Sequence, residues 1–287
     1  MATTSDSTKA APSSVAARIQ FVDVGGERIA YKTVGEGKPI IFLHRFRGTL
    51  DDWDPAFVDG VAKKYRVIMF DQPGVGRSSG SVSTSVTKWA DQAATFARAL
   101  GIGRAVYLSW SMGGAVAQIL GIRHADEVER LVMLATGPSQ NPDSAAGDPE
   151  FGRRARKPIY EVDDYEFLFF YKSPAARAAC LSYLQRVAQI EDKDVPVTPD
   201  GYQNMSIAMA DFKANKEQNY FEQLKAIECP TLIGNGKFDP SYPLMNSLVL
   251  EREIPNAKLI VYPDSGHGFL FQYHDQFVPE LLAFLEG

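Results

Sequence analysis

Tyr107-Leu108-Ser109-Trp110-Ser111-Met112-Gly113-Gly114-Ala115 joins two kinds of sequence at a single serine. Strand-type residues run up to Trp110. Small helix-type residues run on from Gly113 to Leu120. A serine hydroxyl is a weak nucleophile and must be held exposed before it attacks anything. A sharp strand-to-helix turn does this, provided that the residues two before and two after are small enough not to collide across it. Ser109 and Gly113 meet that condition. The helix that follows also points its unpaired N–H groups and its dipole at the reacting centre. A chemically silent turn fits the same nine residues, so the reading depends on what surrounds them.

Working outward, the chain alternates short apolar runs with helical periods. Arg18 to Val34 reads as a β-hairpin, with Gly25-Gly26 as the turn and Ile29, Tyr31 and Thr33 at period two. Pro39 to Leu43 and Tyr65 to Phe70 are unbroken apolar runs of the kind buried on both faces of a parallel sheet. Ala105 to Leu108, Leu131 to Leu134, Thr231 to Ile233 and Leu259 to Val261 continue the series. Between them, Val86, Trp89, Ala90, Ala93, Phe96, Ala97 and Leu100 recur at helical spacing and stop at Gly101. Phe277, Leu281, Leu282 and Leu285 mark a final amphipathic helix. This pattern predicts an α/β fold with a mostly parallel central sheet and helices on both faces.

The alternation stops after Ala135. Helical stretches dense in aromatics and broken by prolines fill the chain from Gly137 to about Asn215. An insertion of that kind most simply lies over one edge of the sheet as a lid. The expected organisation is a disordered tail (1–17), a core in two pieces (18–136 and 216–287) and a helical cap (137–215). The tail is rich in Ala, Ser and Thr and has no apolar centre, so it is not a secretory signal. The 287 residues are 45% hydrophobic with a formal net charge of -5, and no basic cluster exceeds pairs such as Arg153-Arg154. That argues against nucleic acid as a partner. No apolar run approaches a membrane span. Cys180 and Cys229 are far apart and have no metal-type spacing, so a cytoplasmic, reducing setting is expected. No metal and no organic cofactor is called for: ligand-type clusters and a dinucleotide glycine fingerprint are both missing from the sequence.

Nucleophilic hydrolysis needs a base, a carboxylate to orient it and donors for an oxyanion, all on loops leaving the C-terminal ends of the strands. Of the four histidines, His267 follows the strand Lys258 to Tyr262, inside a loop flanked by glycines. His124 faces the wrong end of the sheet, His274 falls in the last helix, and His44 belongs to a different loop. Asp239 follows the strand Thr231 to Ile233 and is the expected carboxylate, although an aspartate before proline is also an ordinary turn residue. Asp264 is a nearer competitor in sequence and is expected to shape the His267 loop.

The chain order Ser111, Asp239, His267, the serine turn and the insertion resemble the cap-bearing α/β-hydrolase fold proteins. Asp71-Gln72-Pro73-Gly74-Val75-Gly76-Arg77-Ser78 and Gly236-Lys237-Phe238-Asp239 resemble two further turns of that family. The resemblance spans about Val22 to Phe284. It implies an oxyanion held by the backbone N–H groups of Met112 and Phe46. It also implies that serine in place of the aspartate used by dehalogenases and epoxide hydrolases directs the chemistry to acyl transfer. Arg45 stands where relatives carry glycine. Arg45 and Arg47 either meet a substrate carboxylate or carbonyl, or pair with Asp51, Asp52 or Asp54. Trp110, Tyr165, Phe169 and Met205 are the remaining candidates for substrate contact, which would favour a hydrophobic small-molecule substrate. The leading expectation is a serine hydrolase of carboxylic esters or lactones. C–C bond hydrolysis, perhydrolysis and non-hydrolytic ligand binding remain as alternatives.

Overall fold

The structure is a computed structural model, and it describes residues 13–214 and 218–287. Eight strands form one sheet: β1 (Gln20–Val24), β2 (Glu27–Val34), β3 (Pro39–Leu43), β4 (Arg66–Phe70), β5 (Ala105–Trp110), β6 (Val128–Leu134), β7 (Thr231–Gly236) and β8 (Ala257–Tyr262). Their spatial order is β1-β2-β4-β3-β5-β6-β7-β8. The β1–β2 hairpin and the β2–β4 pair are antiparallel, and every other pairing is parallel. The hairpin turns at Gly25-Gly26, where both residues have positive φ, as the sequence led us to expect.

Period two decides the core. Along β3, Ile41 and Leu43 face one apolar layer while Ile40 and Phe42 face the other. Along β5, Tyr107 and Leu108 divide in the same way. The first layer packs on α2 (Val86–Ala99) and α3 (Gly113–Arg123), and the second on α1 (Pro55–Ala62) and the C-terminal helices α10 (Phe269–Gln272) and α11 (His274–Glu286). Burying one such aliphatic side chain stabilises the fold by about 1.5–3 kcal/mol. β8 departs from the expected doubly buried run. It lies at the end of the sheet with one neighbour, and Val261 is 38% exposed.

Between β6 and β7 come α4 (Pro149–Ala155), α5 (Val162–Phe169), α6 (Pro174–Ala188), α7 (Pro199–Ala214) and α8 (Tyr220–Gln223), and α9 (Leu244–Glu253) follows β7. No strand lies among the described residues 137–214. The inserted helices are fastened to the core by charged and polar contacts. Arg186 on α6 grips both oxygens of buried Asp54 at 2.7 and 2.6 Å. Buried Lys32 donates to Asp51 and to the Asp192 carbonyl, and the Asp194 N–H donates to Asp51. The Asp71 carboxyl sits among these groups, and burial and the neighbouring Asp194 carboxyl raise its pKa well above the usual carboxylate range.

The expected tail falls mostly on residues 1–12, which lie outside the described residues. Residues 13–17 are held in place: the Ser14 N–H donates to Asp59 at 2.6 Å and the Val15 carbonyl accepts from Glu191. That ordering departs from the disordered tail expected to end at residue 17.

Candidate active site

Ser111 occupies the turn between β5 and α3 with φ 57°, a left-handed conformation that costs a non-glycine residue about 1–3 kcal/mol. Its surroundings hold it there. The Ser111 N–H donates to the Leu134 carbonyl and the Ser111 carbonyl accepts from Gly114, both at 2.9 Å. A Cβ at Gly113 would come within 2.3 Å of the Leu43 carbonyl oxygen, which is the steric reason for glycine two residues after the serine. At the other side of the turn, Ser109 is fully buried and its hydroxyl donates to the Val132 carbonyl at 2.9 Å.

His267 and Asp239 reach the same place from β8 and β7. His267 Nδ1 and Asp239 Oδ2 lie 2.8 Å apart, and both residues are buried. The other Asp239 oxygen accepts the N–H groups of Ser241 and Tyr242 at 2.7 and 2.9 Å. Asp239 is therefore a turn residue and a histidine partner at once. The His267 loop is pinned from behind. Trp110 Nε1 donates to the His267 carbonyl at 2.8 Å, and the Gly268 N–H donates to the Phe169 carbonyl at the end of α5. Asp264 shapes this loop, as expected, with φ 49° and its carboxylate on Ser173. His124 is bound to Asp91 and Glu127, away from the site.

Ser111 and His267 both line a cavity of about 470 Å³. Phe46 and Met112 line it too, and among the described residues neither of their backbone N–H groups has an acceptor. Arg45 itself does not have a positive φ. The left-handed residue of that loop is Arg47, at φ 59°. The Arg45 side chain pairs with Asp52, as one of the two readings held, and passes over the rings of Phe169 and Trp110. Burial opposes its charge, but Asp52 and the hydroxyls of Tyr160, Tyr183 and Tyr165 outweigh that and raise its pKa. Behind the loop, His44 Nδ1 accepts the Trp53 indole N–H at 2.8 Å. Burial lowers the His44 pKa to about 4, so the imidazole is neutral.

Of the expected substrate contacts, Arg45 and Phe169 line the cavity. Four others do not. Arg47 turns away and donates to the carbonyls of Ala155 and Lys157 at the end of α4. Trp110 lies beneath Phe169 and the His267 ring. Tyr165 packs behind the wall against Tyr160 and Tyr183. Met205 faces the apolar core with Ala208 and Phe212. The neighbouring stripe of α7, Ser206, Met209, Ala210 and Lys213, lines the cavity instead. Spacings of three and four put those residues on one helix face, so the error at Met205 is one of helical phase. Phe151 and Tyr242, also missed, lie edge-on and stacked against the His267 ring at 5.3 and 6.1 Å. The Asp-Pro-Ser-Tyr sequence at 239–242 carries a signal for Tyr242, since aspartate caps N–H groups two and three residues on. Nothing local marks Phe151.

Among the described residues no group of three His, Cys, Asp or Glu side chains is placed to hold a metal ion. None of the described helices is long and apolar enough to cross a membrane.

Comparison with known proteins bears on the whole of this arrangement. A non-heme haloperoxidase from Rhodococcus erythropolis is 29% identical over 277 residues, covering 91% of this chain and 97% of that protein. A pimeloyl-[acyl-carrier protein] methyl ester esterase from Vibrio atlanticus (strain LGP32) is 24% identical and covers 88% of this chain and 96% of its own. The solved structure of an alpha/beta hydrolase fold protein from Chitinophaga pinensis superposes with a TM-score of 0.86 at 28% identity, over 96% of this chain and 99% of that one. The family model described as alpha/beta hydrolase fold matches residues 38–272. With that match extending from the start of the parallel sheet to the end of α10, just beyond His267, the chain belongs to the alpha/beta hydrolase fold family.

Proposed function

We propose that the protein is a serine hydrolase that cleaves a carboxylic ester or lactone of a hydrophobic small molecule. Ser111 is the nucleophile, His267 the base and Asp239 the carboxylate that orients it. The observation that carries this reading is the meeting of three strand-end loops at one cavity, with Ser111 held in a strained turn beside two backbone N–H groups that lack acceptors.

In this mechanism the His267 Nδ1–H donates a hydrogen bond to Asp239 Oδ2, which stays ionised, and Nε2 is left to accept the Ser111 proton. Ser111 Oγ attacks the substrate carbonyl carbon. The carbonyl oxygen takes the negative charge and accepts from the Met112 and Phe46 N–H groups. Collapse expels the alkoxide, which leaves with the proton from His267. Water then attacks the acyl-serine, giving its proton to His267, and His267 returns that proton to Ser111 Oγ as the acid departs. Removing one oxyanion donor of this kind costs about 2.7–4 kcal/mol in a known case. The inserted helices between β6 and β7 act as the cap and supply the apolar wall, with Phe151, Leu168, Phe169 and Met209 among its residues. A cytoplasmic setting belongs to the same reading and is supported by two free thiols.

Perhydrolysis is a second reading, favoured by the relative named as a non-heme haloperoxidase. It uses the same acyl-serine, with hydrogen peroxide in place of water as the second attacker, and releases a peracid.

Acid release at constant pH from short esters, long esters and lactones tests the first reading, with Ser111→Ala as control. Release that vanishes in the variant is the expected result. A folded protein that releases no acid from any of them would remove the ester and lactone assignment.

A further inference from the structure

The cavity carries positive charge in a chain whose formal net charge is -5. Three cationic side chains line it: Arg45, Arg156 and Lys213. Arg45 is neutralised by Asp52. Arg156 and Lys213 have no carboxylate partner among the described residues. Arg156 Nη1 donates to the Gly152 carbonyl at 2.8 Å, which leaves most of its donors unspent. Lys213 Nζ lies 5.1 Å from the centre of the Tyr242 ring, which itself lines the cavity and stacks on His267. Among the described residues Asp148 is the one carboxylate that lines the cavity, while Asp52 adjoins it through Arg45 and Asp239 through His267. Asp239 is occupied by His267 and two backbone N–H groups. Asp148 caps the Glu150 N–H at the start of α4. Two uncompensated cations against one exposed acid leave a surplus of one positive charge on the wall built by α4 and α7.

Resting on the hydrolase reading above, we propose that Arg156 and Lys213 recognise a single negative charge on the substrate, a carboxylate set apart from the ester or lactone group. The apolar stripe of Phe151, Met209 and Ala210 would hold the carbon chain between the two ends. Arg156 and Lys213 are then specificity-determining residues and take no part in bond cleavage. Both are exposed, so their substitution leaves the core untouched.

Two probe pairs test this. The first is monomethyl adipate against methyl hexanoate, compared by kcat/KM at low ionic strength. The carboxylate ester is expected to be favoured by roughly fivefold to tenfold, since two exposed charge pairs are involved and each is worth up to about fivefold. The preference should fall towards unity in Arg156→Gln/Lys213→Gln and in high salt, where exposed charges are screened. Arg156→Lys/Lys213→Arg should retain it, which a merely structural role for these side chains does not require. A wild-type ratio at or below one, with methyl hexanoate hydrolysed, overturns the inference and leaves the hydrolase standing. If neither methyl ester is cleaved, the acid-release panel above decides the hydrolase reading and a second pair decides the inference. That pair is N-methylhexanamide and its analogue ending in a carboxylate, with binding followed by calorimetry. Tighter binding of the acidic amide to wild type than to the double glutamine variant supports the inference. Equal binding, or none, overturns it.

Discussion

The loops at the strand ends and the helices inserted after β6 build one cavity by different physics. Ser111, Asp239 and His267 each sit within a few residues of a strand whose position in the sheet is fixed by backbone pairing. Their side chains are then fixed by short-range constraints: a φ of 57° at Ser111, two N–H groups on Asp239, and an indole holding the His267 carbonyl. The wall residues depend on which stripe of a helix turns inward. That is settled by packing between α4, α5, α6 and α7 and by long-range contacts such as Arg186 to Asp54. A loop residue can be placed by counting from its strand, whereas a wall residue cannot.

If the contrast is right, substitutions at the two regions should fail in different ways. The largest effect is expected at Ser111→Ala, which should lower kcat by roughly a millionfold with the melting temperature held or raised, because alanine removes the hydroxyl alone. Steady-state rates beside a thermal melt check this. Asp239→Asn comes next, with a fall of about ten-thousandfold in kcat, since the amide no longer stabilises an imidazolium. A loss of only a few-fold would mean that another carboxylate orients His267.

Stability against pH gives the third effect. His44 is neutral in the folded protein with a pKa of about 4, against 6.5 when unfolded. The unfolded chain therefore binds the extra proton between those values. Stability contributed by this group is full above about pH 6.5 and is lost as pH falls towards 4, by about 3 kcal/mol in all. Denaturant melts between pH 7 and pH 4 should show that slope, and His44→Gln should flatten it. The smallest effects sharpen the comparison within one helix. Met205→Ala should cost about 2–5 kcal/mol of stability with KM little changed, because Met205 packs in the core. Met209→Ala should do the reverse, raising KM by a few-fold at near-constant stability. If both variants shift KM equally, the two faces of α7 are not distinct.

Most of the sheet and the three loop residues were legible because period two, strand length and glycine placement are local properties. The hairpin at Gly25-Gly26 and the runs that become β3 and β5 needed no tertiary knowledge. β8 was misjudged as buried on both faces because edge position depends on what pairs beside it, and Leu259 to Val261 carry no mark of that. The sequence offers Trp110 as a substrate contact, yet its indole N–H is used on the His267 carbonyl and the ring does not line the cavity. Arg47 was grouped with Arg45 by adjacency, but its left-handed backbone sends its side chain to the carbonyls ending α4. In each case the deciding partner is distant in sequence.

Asp239 divides its two oxygens between separate tasks, one fastening the turn at Ser241 and Tyr242 and the other facing the imidazole. Different instruments therefore read different atoms of one side chain. A melting curve is sensitive to the oxygen that closes the turn, and a rate assay to the one that faces His267. Asparagine, which keeps an acceptor and discards the charge, separates the two signals, whereas alanine merges them into a single number that describes neither.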